Sequence, residues 1–269
     1  MPQKIVTLLS DFGLRDPYVA EMKAVILSKC PEAKIVDISH EIAKFDVYMG
    51  AFVLACAAPH FPKGTVHVAV VDPGVGTRRR SIIVETKLGY YVGPDNGILM
   101  QAGCRESLDH VYAIENPQFV APKVSKTFHG RDIFASVAAY LAEGVRARAF
   151  GTEIKDYVVP DFAKPSLADG SVFGQVMHVD GFGNVITNIP SEIVKNLGIR
   201  EQEVLKVEIG KKDMVLTFCS AYGDVADGVA LAIIGSHEFL ELSVNRGSAE
   251  VRFKAKIGDS IRVQRQNYI

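Results

Sequence analysis

The chain reads as an α/β domain, Rossmann-like with a mostly parallel sheet, followed by a smaller all-β barrel. Two patterns carry this reading. In the first part, apolar β-branched runs at residues 4–9, 34–38, 65–71, 81–85 and 90–92 alternate with helical patterns near 16–29 and 46–58, as βαβ units do. Near Pro160 and Pro165 the texture changes, and from Ser171 onward short alternating strands are punctuated by Gly-Asn, Gly-Lys and Asp-Gly turns. The expected domains are 1–163 and 164–269.

The elements follow in order. Lys4-Ile-Val-Thr-Leu-Leu-Ser10 is a strand that delivers Asp11-Phe-Gly13 to a turn. Ala24-Val-Ile-Leu27 before Pro31, and Gly50 to Ala58 before Pro59, fit helices stopped by a proline. Thr65 to Val71 is a further strand and ends at Asp72, ahead of a glycine turn and the guanidinium cluster Arg78-Arg79-Arg80. Ligands of open α/β sheets bind outside the carboxyl ends of strands, so Asp11 and Asp72 stand where a polar ligand is expected. Ile133 to Ala142 reads as a helix with Asp132 as N-cap and Gly144 as its stop. In the second part, 174–179, 204–209, 214–218 and 230–234 read as strands.

Composition bounds the function. With 269 residues, 48% of them hydrophobic, the chain can bury a sizeable core. No apolar run reaches the roughly 18 residues of a spanning helix, and Met-Pro-Gln-Lys lacks the apolar stretch of a signal peptide, so a cytoplasmic protein without membrane contact is expected. Cys30, Cys56, Cys104 and Cys219 form no CxxC pair and read as buried reduced thiols. A balance of 30 basic and 31 acidic residues gives no electrostatic footprint for nucleic acid. By default, Arg78 to Arg80 is a solvated charge run.

The loop Asp72-Pro-Gly-Val-Gly-Thr77 is not a phosphate loop, because it lacks the lysine of GxxxxGK[ST] and opens on a carboxylate. No GxGxxG follows the first strand either. An ionised carboxylate accepts hydrogen bonds from paired ribose hydroxyls, which makes Asp11 a candidate ribose grip; capping of its own turn is the alternative. His129, in Thr127-Phe-His-Gly-Arg-Asp132, is the residue type that titrates nearest neutrality. With Asp72 and Arg79 it can form an acid, guanidinium and imidazole cluster around one water. No metal site is expected: HExxH is absent, and His40, His60, His67, His110, His178 and His237 show no ligand spacing. No GxSxG elbow is present.

In Asp180-Gly-Phe-Gly-Asn184, a hairpin turn is the plain reading. The functional one gives Phe182 a base to stack on, Asn184 an adenine edge to read and Asp180 an ammonium to neutralise. Tyr222 can stack likewise. Ser236-His237-Glu238 is a polar cluster that also reads as a surface turn.

Ser10-Asp-Phe-Gly13, Asp72-Pro-Gly-Val-Gly-Thr77, Pro94-Asp-Asn-Gly97, Phe128-His-Gly-Arg-Asp132, Phe182-Gly-Asn184 with Thr187-Asn188, and Gly235-Ser-His237 through Val244-Asn245 resemble, in order and along nearly the whole chain, the S-adenosylmethionine hydroxide adenosyltransferases. These adenosine-forming hydrolases are relatives of fluorinase and chlorinase. The resemblance implies an α/β domain, a β-barrel and a homotrimer with sites between subunits. It places the water-activating acid, arginine and histidine on Asp72, Arg79 and His129, and the ribose acid on Asp11. Phe182, Asn184 and Tyr222 fall on adenine contacts. Asp180 matches the acid that holds the methionine amino group, in a turn one residue shorter than in the halogenating relatives. Ser236 and His237 align with the methionine end, where those relatives carry arginine in place of His237.

The implied reaction is cleavage of S-adenosylmethionine by water to adenosine and methionine, with no cofactor. The halogenating relatives lack an acid at the Asp72 position, and a carboxylate there repels halide. The alternatives are a halide-using adenosyl transferase, a sensor that binds adenosine or S-adenosylmethionine without turnover, and a metal-dependent nucleotide-phosphate hydrolase.

Overall fold

A computed structural model describes residues 3–160, 164–210 and 212–266, and the chain divides into two compact units, Met1–Pro160 and Asp161–Ile269. In the first unit six strands form one sheet: β1 (Ile5–Ser10), β2 (Lys34–Ser39), β3 (Thr65–Val70), β4 (Ser81–Thr86), β5 (Gly89–Pro94) and β6 (Leu108–Ala113), in the order β2-β1-β3-β5-β4-β6. β1 runs parallel to β2 and β3, and β3 parallel to β5. β4 is antiparallel to both β5 and β6.

The sheet is therefore mixed, which corrects the expectation of a mostly parallel one. The cause is local. Only Lys87 and Leu88 separate β4 from β5, far too few residues for a parallel crossover. Thr86 Oγ1 locks the reversal by accepting the Gly89 N–H at 3.0 Å.

Alternation in the strands supplies two cores. Val6, Leu8, Val66 and Val68 face one side with Met22 and Ile26 of α1 (Tyr18–Lys29) and Val137 and Leu141 of α4 (Ser136–Ala142). Leu9, Ala69 and Tyr91 face the other with Leu54 of α2 (Val47–Ala57) and Met100 of α3 (Met100–Arg105). Asp46 accepts the Met49 N–H at 2.9 Å and starts α2.

Asp132 is not an N-cap. The helix begins earlier, with a π-helical turn over Gly130–Ala135 that runs into α4, and Asp132 lies inside it. Its carboxylate instead accepts the Ser125 N–H of the preceding loop at 2.7 Å. Gly144 does end the helix, at φ +93°.

The second unit is a barrel. β8 (Ser171–Val179), β9 (Val185–Pro190), β10 (Val204–Ile209), β11 (Lys212–Cys219), β12 (Ala230–Ile234), β13 (Phe239–Val244) and β14 (Ser260–Arg265) close through the β14–β8 pairing, with β7 (Ser166–Ala168) added outside β8. Val176, Val207, Leu240, Leu242 and Val263 fill its interior. Two short helices, α5 (Ser191–Asn196) and α6 (Ala249–Phe253), complete it. Among the described residues no helix is long and apolar enough to cross a membrane. Cys30, Cys56 and Cys219 are buried free thiols, and burial pushes the first two up to about 11. Cys104, on α3, is exposed, contrary to the sequence reading.

Candidate active site

β1 and β3 are parallel neighbours with Ser10 opposite Val70, so the carboxylates that follow them, Asp11 and Asp72, leave the sheet at the same edge. From Asp72 the loop doubles back. Val75 N–H reaches Asp72 C=O at 3.2 Å and Thr77 Oγ1 reaches Gly74 C=O at 2.7 Å. Gly76 sits at φ +76°, where an added Cβ would stand 2.2 Å from Lys126 C=O; only glycine lets this loop lie against the loop that leads to His129. The Pro94-Asp-Asn-Gly97 motif braces the same region. Asn96 Nδ2 donates to Val71 C=O at 2.8 Å, and Asp95 accepts from Arg80 Nε at 2.9 Å.

The return of the chain lays Arg79 on Asp72. Arg79 Nε donates to Oδ1 at 2.9 Å and to Oδ2 at 3.1 Å, and Nη2 also reaches Oδ2. Nη1 donates to Arg80 C=O and Ser81 Oγ, and the guanidinium lies 5.4 Å from the Phe134 ring centroid. The two ion-paired side chains keep only 10% and 5% of their exposure. Reading Arg78 to Arg80 as a solvated run thus fails at its centre, because Arg79 turns inward. Arg80 pairs with Asp95 and Asp156, and Arg78 alone stays exposed without such a pair among the described residues.

Arg79 Nη2 also stands 2.7 Å from His129 Nδ1. A guanidinium only donates, so Nδ1 accepts and the neutral ring carries its proton on Nε2. Burial first, and then the Arg79 charge, lower the His129 pKa below its usual value, while Asp72 and Asp132 act against them. The three residues singled out in the sequence therefore form one hydrogen-bonded cluster, with arginine in the centre.

Asp72 and His129 open on a cavity of about 630 Å³ that Asp11, Phe12, Tyr18 and Phe45 also line, within the range of small-molecule sites. Asp11 is 6% exposed. Its Oδ2 accepts the Phe45 N–H at 2.9 Å and its carbonyl receives Lys44 Nζ, so one carboxylate oxygen ties down the Lys44-Phe45 loop. Among the described residues Oδ1 receives no such bond, and Asp11 lines the cavity. The loop behind Asp11 is held by a chain. Ser10 Oγ contacts His40 Nδ1 at 2.7 Å, His40 Nε2 lies 3.2 Å from Asp37 Oδ1, and Phe12 N–H reaches Ser10 Oγ at 3.3 Å. With the carboxylate beside Nε2, the His40 proton is favoured there, the Ser10 hydroxyl donates to Nδ1, and its lone pair is left for Phe12.

Lys44, Phe45 and the edge-to-face trio Phe12, Tyr18 and Phe128 escaped the sequence reading. Phe45 is 70% exposed at φ +66°, an unfavourable backbone region for a bulky residue. A Lys-Phe pair in a loop gives no sign of this beforehand.

In the second unit Asp180 organises its own turn. Oδ1 accepts the Phe182 and Asn184 N–H groups, and Oδ2 accepts Asn184 Nδ2, all at 2.9 Å. The plain turn reading of Asp180 is thereby satisfied, and Asn184 is buried beside it. Phe182 is 83% exposed. Tyr222 Oη donates to Glu241 Oε1 at 2.7 Å, and burial together with Glu241 pushes the phenol pKa up. Ser236 and His237 are exposed on the turn between β12 and β13.

With this geometry in view, the comparisons with known proteins are specific. The family model of the SAM hydroxide adenosyltransferase N-terminal domain matches residues 6–151, and that of the C-terminal domain matches residues 174–262. The chain belongs to the SAM hydroxide adenosyltransferase family. It is 37% identical over 268 residues to an (R)-S-adenosyl-L-methionine hydrolase of Thermus thermophilus, covering 96% of this chain and 98% of the relative. It is likewise 37% identical to the Methanocaldococcus jannaschii protein of the same name, over 249 residues, 89% of this chain and 88% of that one. A fluorinase of Nocardia brasiliensis is more distant, at 29% over 289 residues, covering 97% and 96%. A crystal structure of an uncharacterized conserved protein from Thermotoga maritima superposes with a TM-score of 0.94 at 40% identity, covering 97% of this family member and all 100% of that chain.

Proposed function

We propose that this protein hydrolyses S-adenosylmethionine at the ribose 5′ carbon to adenosine and methionine, with the (R) sulfonium epimer, named in its hydrolase relatives, as preferred substrate. The observation that carries the reading is the Asp72–Arg79–His129 cluster on a cavity that also holds Asp11. In this substitution a water oxygen bonds to C5′, the C5′–S bond breaks, and its electron pair stays on sulfur. The leaving group is a neutral thioether and needs no proton. The difficulty lies in the weak nucleophile.

The hydrogen bonds divide that labour. Because Arg79 occupies Nδ1 of His129, the imidazole presents Nε2–H and orients the water by donating to its oxygen. Asp72 accepts the proton, and Arg79 steadies the charge on both neighbours. General-base help of this kind is worth about 10² to 10⁴ in rate. Asp11 holds the ribose through the carboxylate oxygen that Phe45 leaves free. Phe182, Asn184 and Tyr222 take the adenine, and Asp180, Ser236 and His237 take the methionine end. A carboxylate at position 72 disfavours halide as nucleophile.

The protein acts as a cytoplasmic homotrimer. Supporting the oligomer, Leu14, Phe45 and Tyr48, on loops and the first turn of a helix of the first unit, are 69%, 70% and 53% exposed, an apolar display that a second copy would cover.

Incubation with each sulfonium epimer in ¹⁸O water tests the reaction. The expected result is methionine release with label in the 5′-hydroxyl of adenosine, faster from the (R) epimer. Unlabelled adenosine, or binding without methionine release, refutes it, and the latter outcome identifies a sensor.

A further inference from the structure

Asp132 closes the run Phe128-His-Gly-Arg-Asp132, of which the reaction just described uses only His129. It is 4% exposed. Arg131 Nε donates to its Oδ1 at 2.7 Å and Nη2 to its Oδ2 at 3.2 Å, and the same guanidinium reaches Glu21 Oε2 of α1 through Nη1 at 2.7 Å. Burial opposes ionisation, yet Arg131 and the Ser125 N–H keep the carboxyl below the usual carboxylate range. The carboxylate is charged, buried and tied to α1.

The segment that Asp132 gathers has no regular structure of its own. Residues 120–128, between a 3-10 turn at Pro117–Phe119 and the π-helical turn at Gly130–Ala135, form neither helix nor strand. Asp132 takes hold of this loop twice. Its C=O accepts the Ala121 N–H at 2.8 Å, and its Oδ2 accepts the Ser125 N–H at 2.7 Å. Ser125 Oγ in turn accepts the Thr127 N–H at 3.2 Å, and between these two residues stands the Lys126 C=O against which Gly76 lies. Three residues before Asp132, His129 opens the π-helical turn, a geometry that is rare and frequent at functional sites. One side chain therefore fixes both the loop on which the Asp72–Arg79 segment rests and the turn that carries the imidazole.

We infer that Asp132 is a positioning residue, whose carboxylate sets the contact between Arg79 and His129 by holding the loop at Ser125 against the π-helical turn. The inference rests on the proposed function and deepens it. Asp132 touches neither water nor substrate in that reading; it acts through the 2.7 Å contact of Arg79 Nη2 with His129 Nδ1. That contact keeps the neutral ring's proton on Nε2. Without the tether Nδ1 leaves the guanidinium, and the ring exchanges between its two tautomers.

Asp132→Ala and Asp132→Asn decide it. Asparagine keeps an acceptor oxygen for the Ser125 N–H, and alanine removes it. On the full chain, methionine release gives kcat and KM, the ¹⁵N spectrum of the His129 ring above its titration range gives the tautomer, and a thermal melt shows that the variant is folded. The alanine variant should lose about 10- to 100-fold in kcat, the effect of a small misplacement at the reacting centre, with KM within about threefold and a mixture of tautomers. The asparagine variant should recover kcat to within about threefold and keep the Nε2–H form. Equal losses in the two variants, a loss confined to KM, or an alanine variant with unchanged kcat and a single Nε2–H tautomer overturns the inference while leaving hydrolysis intact. Should Asp132→Ala fail to fold, Asp132→Ser serves, since its hydroxyl is one bond shorter than the carboxylate and falls short of the Ser125 N–H. It must show the same loss of kcat and the same mixture, and retention of both overturns the inference. If the unsubstituted protein releases no methionine, the proposed function fails, and the tautomers alone then decide whether Asp132 positions His129.

Discussion

Replacing Asp72 with asparagine separates its chemical role from its structural one. The carboxylate accepts Arg79 Nε at 2.9 and 3.1 Å, together with Nη2, in a pair whose side chains are 5% and 10% exposed. Asparagine keeps one acceptor oxygen and turns an N–H₂ toward a guanidinium that cannot accept. The proposed proton acceptor for water is lost as well. The barrier should rise by the worth of a general base, about 10² to 10⁴ in kcat, or about 3 to 5 kcal/mol. Breaking a buried pair costs up to about 3 to 5 kcal/mol of stability. The loss here should fall toward the low end, because Arg79 retains Ser81 Oγ, Arg80 C=O and the Phe134 face. Methionine release at saturating substrate gives kcat, and a thermal melt of the same sample shows that it is folded. KM should stay within about threefold, since the proposed ribose grip is Asp11 and not Asp72. A folded variant with kcat within tenfold of the unsubstituted protein refutes Asp72 as the proton acceptor.

The pH profile of kcat/KM should show an acid limb below the usual histidine range, because burial and Arg79 depress His129 and its protonation would break the bond from Arg79 to Nδ1; an NMR titration of the ring that gives an ordinary or raised value contradicts this. Removing the Asp72 charge should move that limb lower, whereas Arg79→Met should move it higher. His67 is pushed down to about 4 by burial, so the unfolded chain binds its proton first as pH falls. Stability present above about pH 6.5 is then lost toward pH 4, by about 3 kcal/mol, and urea midpoints for His67→Gln should lose this dependence. Ser10→Ala removes the link from His40 to Phe12 and should raise KM about two- to tenfold with kcat held. Ser10→Thr should restore it, and an unchanged KM in the alanine variant argues against any positioning of Asp11.

How much of this was legible in the sequence depends on the range over which each cause acts. The strand ends at Ser10 and Val70 are visible because β-branched runs stop at acids and glycines, and the parallel pairing of β1 with β3 then puts Asp11 and Asp72 side by side. Arg79 enters the cluster with Asp72 and His129 as one guanidinium of three, and the family resemblance singles it out; its own sequence context, between two arginines, speaks for solvent. What turns it inward is the glycine at 76 pressed on Lys126, a contact between loops fifty residues apart. The mostly parallel reading fails between β4 and β5, because the two residues that join them cannot make a crossover. The π-helical turn at Gly130 left no mark, since its residues suit an α-helix equally well.

Glu241 shows why the remainder stays hidden. Alternation along Phe239 to Val244 assigns Leu240, Leu242 and Val244 to the core and, by the same rule, Glu241 and Ser243 to water. That rule is right about direction and wrong about exposure, because a tyrosine from another part of the barrel covers the outer face. A buried charge can be recognised in sequence only when its cover is also predictable, and covers are supplied by loops, whose placement local pattern does not fix.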